Sequence, residues 1–384
     1  MYISIRCVIY LRGKMQITTV DNSRSLADFI RLPYQVYHAD PNWVAPLRGE
    51  VRAQFDPRKN PTLDHCEHAL FLLRDGERVI GRVAAFIDRL AMEHWGEAVG
   101  LFGYYECPPY QTAAHLLLDA ARQWLRARGM VRMRGPWSFI SQEWGSVVEG
   151  FTPPAVIMSP YNPPFYNDHY AAFGLQKARD LLVYVVDARD GYQIPERILR
   201  LTDIVAARHN LRTRNLDMKQ YEQEVARVIE LSNNSLADNW GYAPVTKAEA
   251  TALARDLKPI LHANAVVFAE DAGGRAIGFA IALPDVNKLI KGLNGRLLPF
   301  ALPRLLFGLP RLRQYRMFAL GVLPEFHGQG VDSLMYRALY ESCYSPEVRM
   351  EINYVLEDNH PMNNAILKLG ARPLRRYRVY EMEI

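Results

Sequence analysis

Residues 321–334 read Gly-Val-Leu-Pro-Glu-Phe-His-Gly-Gln-Gly-Val-Asp-Ser-Leu. A strand that ends in Val322-Leu323-Pro324 and a glycine-bearing turn that opens a helix would point successive backbone N–H groups outward at the positive end of the helix dipole. A pyrophosphate can sit there. Glycine at 328 and 330 removes the Cβ atoms that would block its approach. A Gly-x-Gly alone also fits a plain capped turn; the preceding Val-Leu-Pro-Glu-Phe is what sharpens the reading. Further on stands Glu357-Asp358-Asn359, where a carboxylate could act as a general base. The same three residues also fit a turn and N-cap before Pro361. Cys7, Cys66, Cys107 and Cys343 form no Cys-x-x-Cys pair, so we expect neither a metal site nor a disulfide framework.

The elements that would position these groups can be read along the chain. At 384 residues, 49% hydrophobic and 23% charged, with a net charge of +5, the chain suits two globular domains. Gln16 begins a strand and Asp21-Asn22-Ser23 caps a helix. Strands over 68–73 and 79–88 flank a hairpin turn at Arg74-Asp75-Gly76-Glu77. A strand at 98–105, an amphipathic helix over 112–128 stopped by Gly129, and a strand at 130–134 follow. The second half repeats the order. A strand at 211–216 is followed by helices over 221–234 and 247–261, then by strands at 265–270 and 276–283 around Asp271-Ala272-Gly273-Gly274. A strand at 318–322, a helix over 330–342, a strand at 348–356, a helix over 362–369 and a strand at 375–383 complete it. Two tandem β-α-β-β-β-α-β-α-β units result, 1–190 and 200–384. The apolar run at 1–10 is too short for a signal or spanning segment and meets Arg12 and Lys14, with Met15 the expected true start.

The loop and its surroundings resemble the acyl-CoA site of the GNAT (Gcn5-related N-acetyltransferase) superfamily, Val-x-Pro-x-x-Arg/Gln-x-x-Gly-x-Gly/Ala. Asn359 and Gly370, at the two ends of a helix, resemble its second motif. The resemblance covers 211–384. It implies an α/β (α+β) fold of two tandem GNAT-like domains, each a mixed twisted sheet flanked by helices, and acyl-CoA as cosubstrate. It assigns CoA binding to Leu320, Val322, His327, Gly328, Gln329, Gly330, Val331, Asp332 and Ser333, with the amides near Leu320 polarising the thioester. Glu357, Asn359 and His327 become the catalytic candidates. His327 replaces the usual Arg/Gln, Asp332 a small residue, and Ile366 stands where many members carry a proton-donating tyrosine. In the first half Tyr105-Glu106-Cys107-Pro108-Pro109-Tyr110-Gln111 replaces the glycine loop, and proline lacks the N–H donors a pyrophosphate needs. That half is expected to build walls of the substrate site.

Asn239, Trp240 and Tyr242 lie where GNAT proteins form their acceptor pocket, although a tryptophan at such a turn also fits core packing. Residues 286–324 contain no acid and seven basic residues, Lys288, Lys291, Arg296, Arg304, Arg311, Arg313 and Arg316, interleaved with aliphatics. An insertion of this kind at 286–316 fits an element lying on an anionic bilayer, or one packed on the first half. Nucleic acid is not expected, since stacking aromatics are few. The whole resembles a proteobacterial tandem GNAT-like family sharing Asn-Trp-Gly, Pro-Asp-x-x-Asn (Pro284, Asp285, Asn287), Gly-Arg-Leu-x-Pro and Glu-Asp-Asn. Some members are thought to acylate sphingoid-type amines. This implies an N-acyltransferase of lipid metabolism acting on a small-molecule or lipid amine; the scattered cysteines lead us to expect a cytoplasmic protein, peripheral to the inner membrane if the insertion rests on a bilayer. The alternative is a non-catalytic protein that binds acyl-CoA or a membrane surface.

Overall fold

The computed structural model describes residues 15–139 and 143–384; the reading of the apolar run at 1–10 lies outside them. β1 (Met15–Thr19) leads into α1 (Ser23–Val36), whose first turn is fixed by Asn22 Oδ1 accepting from the N–H of Arg24 and Ser25. The first half continues through α2 (Arg48–Gln54), β2 (Cys66–Asp75), β3 (Arg78–Asp88), α3 (Arg89–Trp95), β4 (Val99–Glu106) and α4 (Gln111–Arg126). β5 (Arg132–Gly135), β6 (Ser146–Glu149), α5 (Phe165–Phe173) and β7 (Gln176–Asp187) close it. α6 (Glu196–His209) forms the connection. The second half runs β8 (Arg212–Asn215), α7 (Tyr221–Ser235), α8 (Lys247–Leu257), β9 (Val266–Glu270) and β10 (Ala276–Pro284). The insertion follows as α9 (Asn287–Ile290) and α10 (Ala301–Gly308). β11 (Gln314–Val322), α11 (Val331–Cys343), β12 (Arg349–Leu356), α12 (His360–Lys368) and β13 (Arg372–Glu383) end the chain.

The expected order of elements is present twice. α2, α3, β6 and α6 were not foreseen: the first three are short, with too few turns or alternations for a clear period. All strands join one sheet in the order β1-β2-β3-β4-β5-β13-β7-β12-β11-β10-β9-β8, with β6 pairing on β13. The closing strands are exchanged. β13, from the end of the second half, pairs with β5 of the first; β7, from the end of the first, pairs with β12 of the second. The two exchanged strands pair with each other from Arg372↔Val185 to Glu381↔Gln176. Leu181, Val183, Tyr377 and Val379 on them are buried in the core beneath α1 and α2. At ~1.5–3 kcal/mol for each fully buried large apolar side chain, this seam ties the halves into one cooperative body.

Candidate active site

β11 and β12 pair in parallel from Gln314↔Arg349 to Met317↔Ile352 and then part. Just past the fork β11 bulges, because Ala282 of β10 opposes Met317 while Ile281 opposes Ala319. Phe318 is thus left without an opposite residue, and from it to Val322 one edge of β11 has no strand partner. Leu323 N–H returns to Ile277 O (2.9 Å), and a single 3₁₀ turn over Pro324–Phe326 brings the chain to the glycines. Gly328 and Gly330 both hold positive φ, +73° and +81°. Among the described residues none accepts from the N–H of Gly328, Gly330, Val331, Asp332 or Ser333. Five donors at one helix start, all unspent, form an anion cradle.

The side chains around the cradle are held. His327 Nε2 lies 2.8 Å from Val322 O, so the imidazole ties the turn back to the strand end. α6 buttresses the far side: Arg337 of α11 donates to Leu199 O and Thr202 Oγ1, and Val205 sits against Gly330, where a Cβ would meet Cγ2 at 3.0 Å. Glu357 bridges to Lys177 (2.6 Å) and accepts from Asp180 N–H (3.0 Å), both from β7. Asp358 pairs with Arg179, and Asn359 caps α12 through Met362 N–H. Ile366 is fully buried.

One phenol the sequence did not single out stands beside the fork. Tyr336 on α11 lines an apolar cavity of about 40 Å³ together with Met317 and Ile352, the last paired residues. Its hydroxyl lies 3.0 Å from Met362 Sδ on α12, and burial pushes the phenol well above its ordinary pKa.

On the opposite face of the sheet, the loop of Asn239, Trp240 and Tyr242 crosses onto the first half. Trp240 stacks on Trp144 (6.0 Å, 19°) and lies beneath Arg134 and Arg179. The carbonyl of Tyr242 accepts from Trp95 Nε1 (2.7 Å), while Asn239 closes the turn on Leu236 O. Trp144 in turn touches Tyr354 of β12 (6.2 Å). Arg316, expected with the surface cations, is fully buried beside the fork. Its guanidinium donates to the carbonyls of Ile157 (2.9 Å) and Met158. The Pro-Asp-x-x-Asn stretch grips the same first-half loop: Asp285 accepts from Ile157 N–H (2.9 Å), and Asn287 Nδ2 donates to Ala155 O (3.0 Å). Burial, reinforced by the charge of Glu351, pushes the Asp285 carboxyl up to about 6.

No family model matches the chain. Two proteins match it along nearly their whole length. The bacterial ceramide synthase of Caulobacter vibrioides is 34% identical over 376 residues, 96% of this chain and 97% of that protein. Protein YghO of Escherichia coli is 31% identical over 96% of this chain and 95% of that one. The chain belongs to their family. As a member of this ceramide synthase and YghO family it is an acyltransferase. Its fold is that of the tandem GNAT proteins. A tandem GNAT protein from the clavulanic acid biosynthesis pathway superimposes with a TM-score of 0.56 at 16% identity, covering 96% and 98% of the two chains. A GCN5-related N-acetyltransferase from Sphaerobacter thermophilus gives 0.52 at 11% identity.

Proposed function

We propose that this acyltransferase moves an acyl group from acyl-CoA to a primary amine carried by a long-chain, sphingoid-like lipid. The observation that carries the reading is the cradle of five unspent N–H groups directly beyond the fork of β11 and β12. The cradle suits the pyrophosphate of CoA, and with the pyrophosphate there the thioester would lie at the fork. There the freed edge of β11, Phe318 to Val322, supplies amides that polarise the carbonyl. A neutral amine arriving from the opposite face attacks the carbonyl carbon; the C–N bond forms, the C–S bond breaks, and CoA leaves as thiol. Tyr336 is the proton donor to the departing sulfur, the part for which the usual helix offers only Ile366, and the proton that the nitrogen loses on forming the amide returns through solvent water to the phenolate. Since Glu357 is committed to Lys177, it serves to hold the end of β12 in place rather than as a free base. The lipid character of the amine rests on the exposed apolar surface of the insertion and on the name of the Caulobacter relative.

The test is release of CoA thiol from acyl-CoAs of graded chain length against a panel of amines, sphingoid bases included. We expect turnover with long-chain amines and none with Gly330→Val. That variant strains a positive-φ site and drives a side chain into Val205, so its CoA affinity should fall at least as steeply. Retained CoA binding in Gly330→Val would remove the cradle from the reading.

A further inference from the structure

The half that lacks the phosphate-binding turn has kept the fork. β4 and β5 pair in parallel from Val99↔Arg132 to Leu101↔Arg134; beyond the ladder Trp137 N–H still donates to Phe102 O (2.8 Å), and the two segments part after it. Pro108 and Pro109 follow β4, so no cradle of N–H groups precedes α4. Yet this fork is not filled by core side chains. It holds a cavity of about 230 Å³, far above the roughly 10–15 Å³ that a single water needs. The cavity reaches from Tyr166 on α5, past Tyr105 and Trp137 at the fork, to Asn42 and Trp43 in the loop after α1. That loop, Ala39-Asp40-Pro41-Asn42-Trp43, is the first-half counterpart of Ala237-Asp238-Asn239-Trp240.

Two kinds of group line this space. The first is aromatic: Trp43, Trp137, Tyr104 and Tyr161 line it. The second is carboxylate. Glu106 is already committed, to Arg82 (3.4 Å) and to the hydroxyls of Tyr166 (2.9 Å) and Tyr37. Glu143 is different. It lines the cavity, and no described residue gives it a hydrogen bond or an ion pair. Burial raises its carboxyl, and the charge of Arg316 opposes the rise. Aromatic rings around a carboxylate that no hydrogen bond or ion pair engages complement an alkylammonium ion, through the ring quadrupole and through charge. They repel a phosphate or a carboxylic acid.

The position of the cavity fits an acceptor. Met158 and Ser159 form part of its wall. These two residues are also what the second fork holds: Arg316 donates to Met158 O, and Asn353 Nδ2 lies 3.1 Å from Ser159 Oγ. Arg316 and Asn353 flank Met317 and Ile352, after which β11 and β12 part. The Met158–Ser159 segment therefore borders both the cavity and the residues beside the catalytic fork.

We propose that this first-half cavity binds the protonated amino headgroup of the acceptor, with Glu143 as its counter-ion and Trp43 and Trp137 enclosing it. The inference rests on the transferase reading above and deepens it: the half without the cofactor loop is the acceptor half. The experiment uses the full chain and two soluble probes, a short-chain 2-amino-1,3-diol and its N-acetylated form. Tryptophan fluorescence is titrated without acyl-CoA, and steady-state thiol release is followed with it. Wild type should bind the amine saturably and ignore the N-acetylated probe. Glu143→Gln and Trp43→Leu should each raise Kd and KM for the amine by roughly ten-fold or more, with KM for acyl-CoA unchanged; that unchanged value also reports an intact fold. If both variants turn the amine over with wild-type KM, the headgroup binds elsewhere and the proposal falls, while the transferase reading stands. If the amine binds, both variants weaken it and no pair of substrates releases thiol, the site stands and the reading of the reaction falls.

Discussion

Tyr336 is the residue whose role the chemistry most needs. A thiolate leaving at the fork requires a proton, and this phenol lines the cavity that Met317 and Ile352 close. Burial keeps it protonated at neutral pH. Tyr336→Phe preserves shape and should lower kcat by ~10²–10⁴, the usual contribution of a positioned acid, while CoA affinity stays within about two-fold. An unchanged kcat would hand the proton to water. The glycines of the cradle were legible in the sequence because the turn they make is local: positive φ at 328 and 330 leaves little choice of residue. The partners of Glu357 were not legible, because Lys177 and Asp180 come from a strand some 180 positions earlier. Arg316 misled for the same reason. Its window is basic throughout, and only the distant loop at Ile157 and Met158 shows that it is a buried clamp.

At the level of elements, periodicity and turn chemistry carry far. α4 and the stop at Gly129, whose φ is +78°, follow from an apolar stripe and a residue free to adopt that angle. Strand partners do not follow, since β13 and β7 have the same pattern whether or not they are exchanged. The interface also depends on small ties of long sequence range, and one has a measurable signature. His65, before β2, lies 3.0 Å from Asp88 and 3.1 Å from Glu249 in the first turn of α8, so an imidazolium links the two halves. Cys66 is close enough to share a metal ion with His65 and Asp88, but both ring nitrogens are already engaged. Hydrogen bonding with Asp88, Cys66 and Glu249, the two carboxylates accepting from the ring, pushes His65 up to about 12. Burial alone would raise Glu249; His65, Thr246 and Thr62 bring it down to about 2. The stabilisation from His65 is whole below its ordinary value of 6.5 and fades as pH climbs toward 12, whereas that from Glu249 is whole above 4.5 and fades as pH falls toward 2. In urea unfolding, His65→Gln should therefore lose most against wild type between about pH 4.5 and 6.5, and visibly less at about pH 9.5. An equal deficit at both ends would mean the imidazole is neutral in the folded protein.

Seen whole, the molecule leaves a patch of large apolar side chains uncovered. Leu298, Phe300, Leu306 and Phe307, all on or beside α10, are 64–71% exposed, and Leu297 and Leu302 accompany them. Scattered single exposures are ordinary, but a contiguous set on one short helix is a contact surface. Lys288, Lys291, Arg296, Arg304 and Arg311 are exposed around it. No helix among the described residues is long and apolar enough to cross a membrane, so any lipid contact through this patch lies in the plane of the surface. We propose a bilayer as its occupant, because that chemistry has both parts: an apolar boundary for the leucines and phenylalanines, and anionic headgroups for the cations. Each cation near the surface adds ~1 kcal/mol on anionic lipid, and salt screens that share. The apolar share is not screened. Co-sedimentation with liposomes should accordingly rise with anionic lipid and fall only in part as salt is added. Arg304→Gln with Arg311→Gln should remove the salt-sensitive part, and Leu306→Ser with Phe307→Ser the remainder, each without change in the thermal unfolding midpoint because these side chains bury little in the fold. A long-chain amine resident in that bilayer would then reach the fork from the surface on which the protein rests. Complete recovery of the protein in the supernatant at low salt would make the patch a cover for the substrate cleft, and would take away the main support for a lipid acceptor.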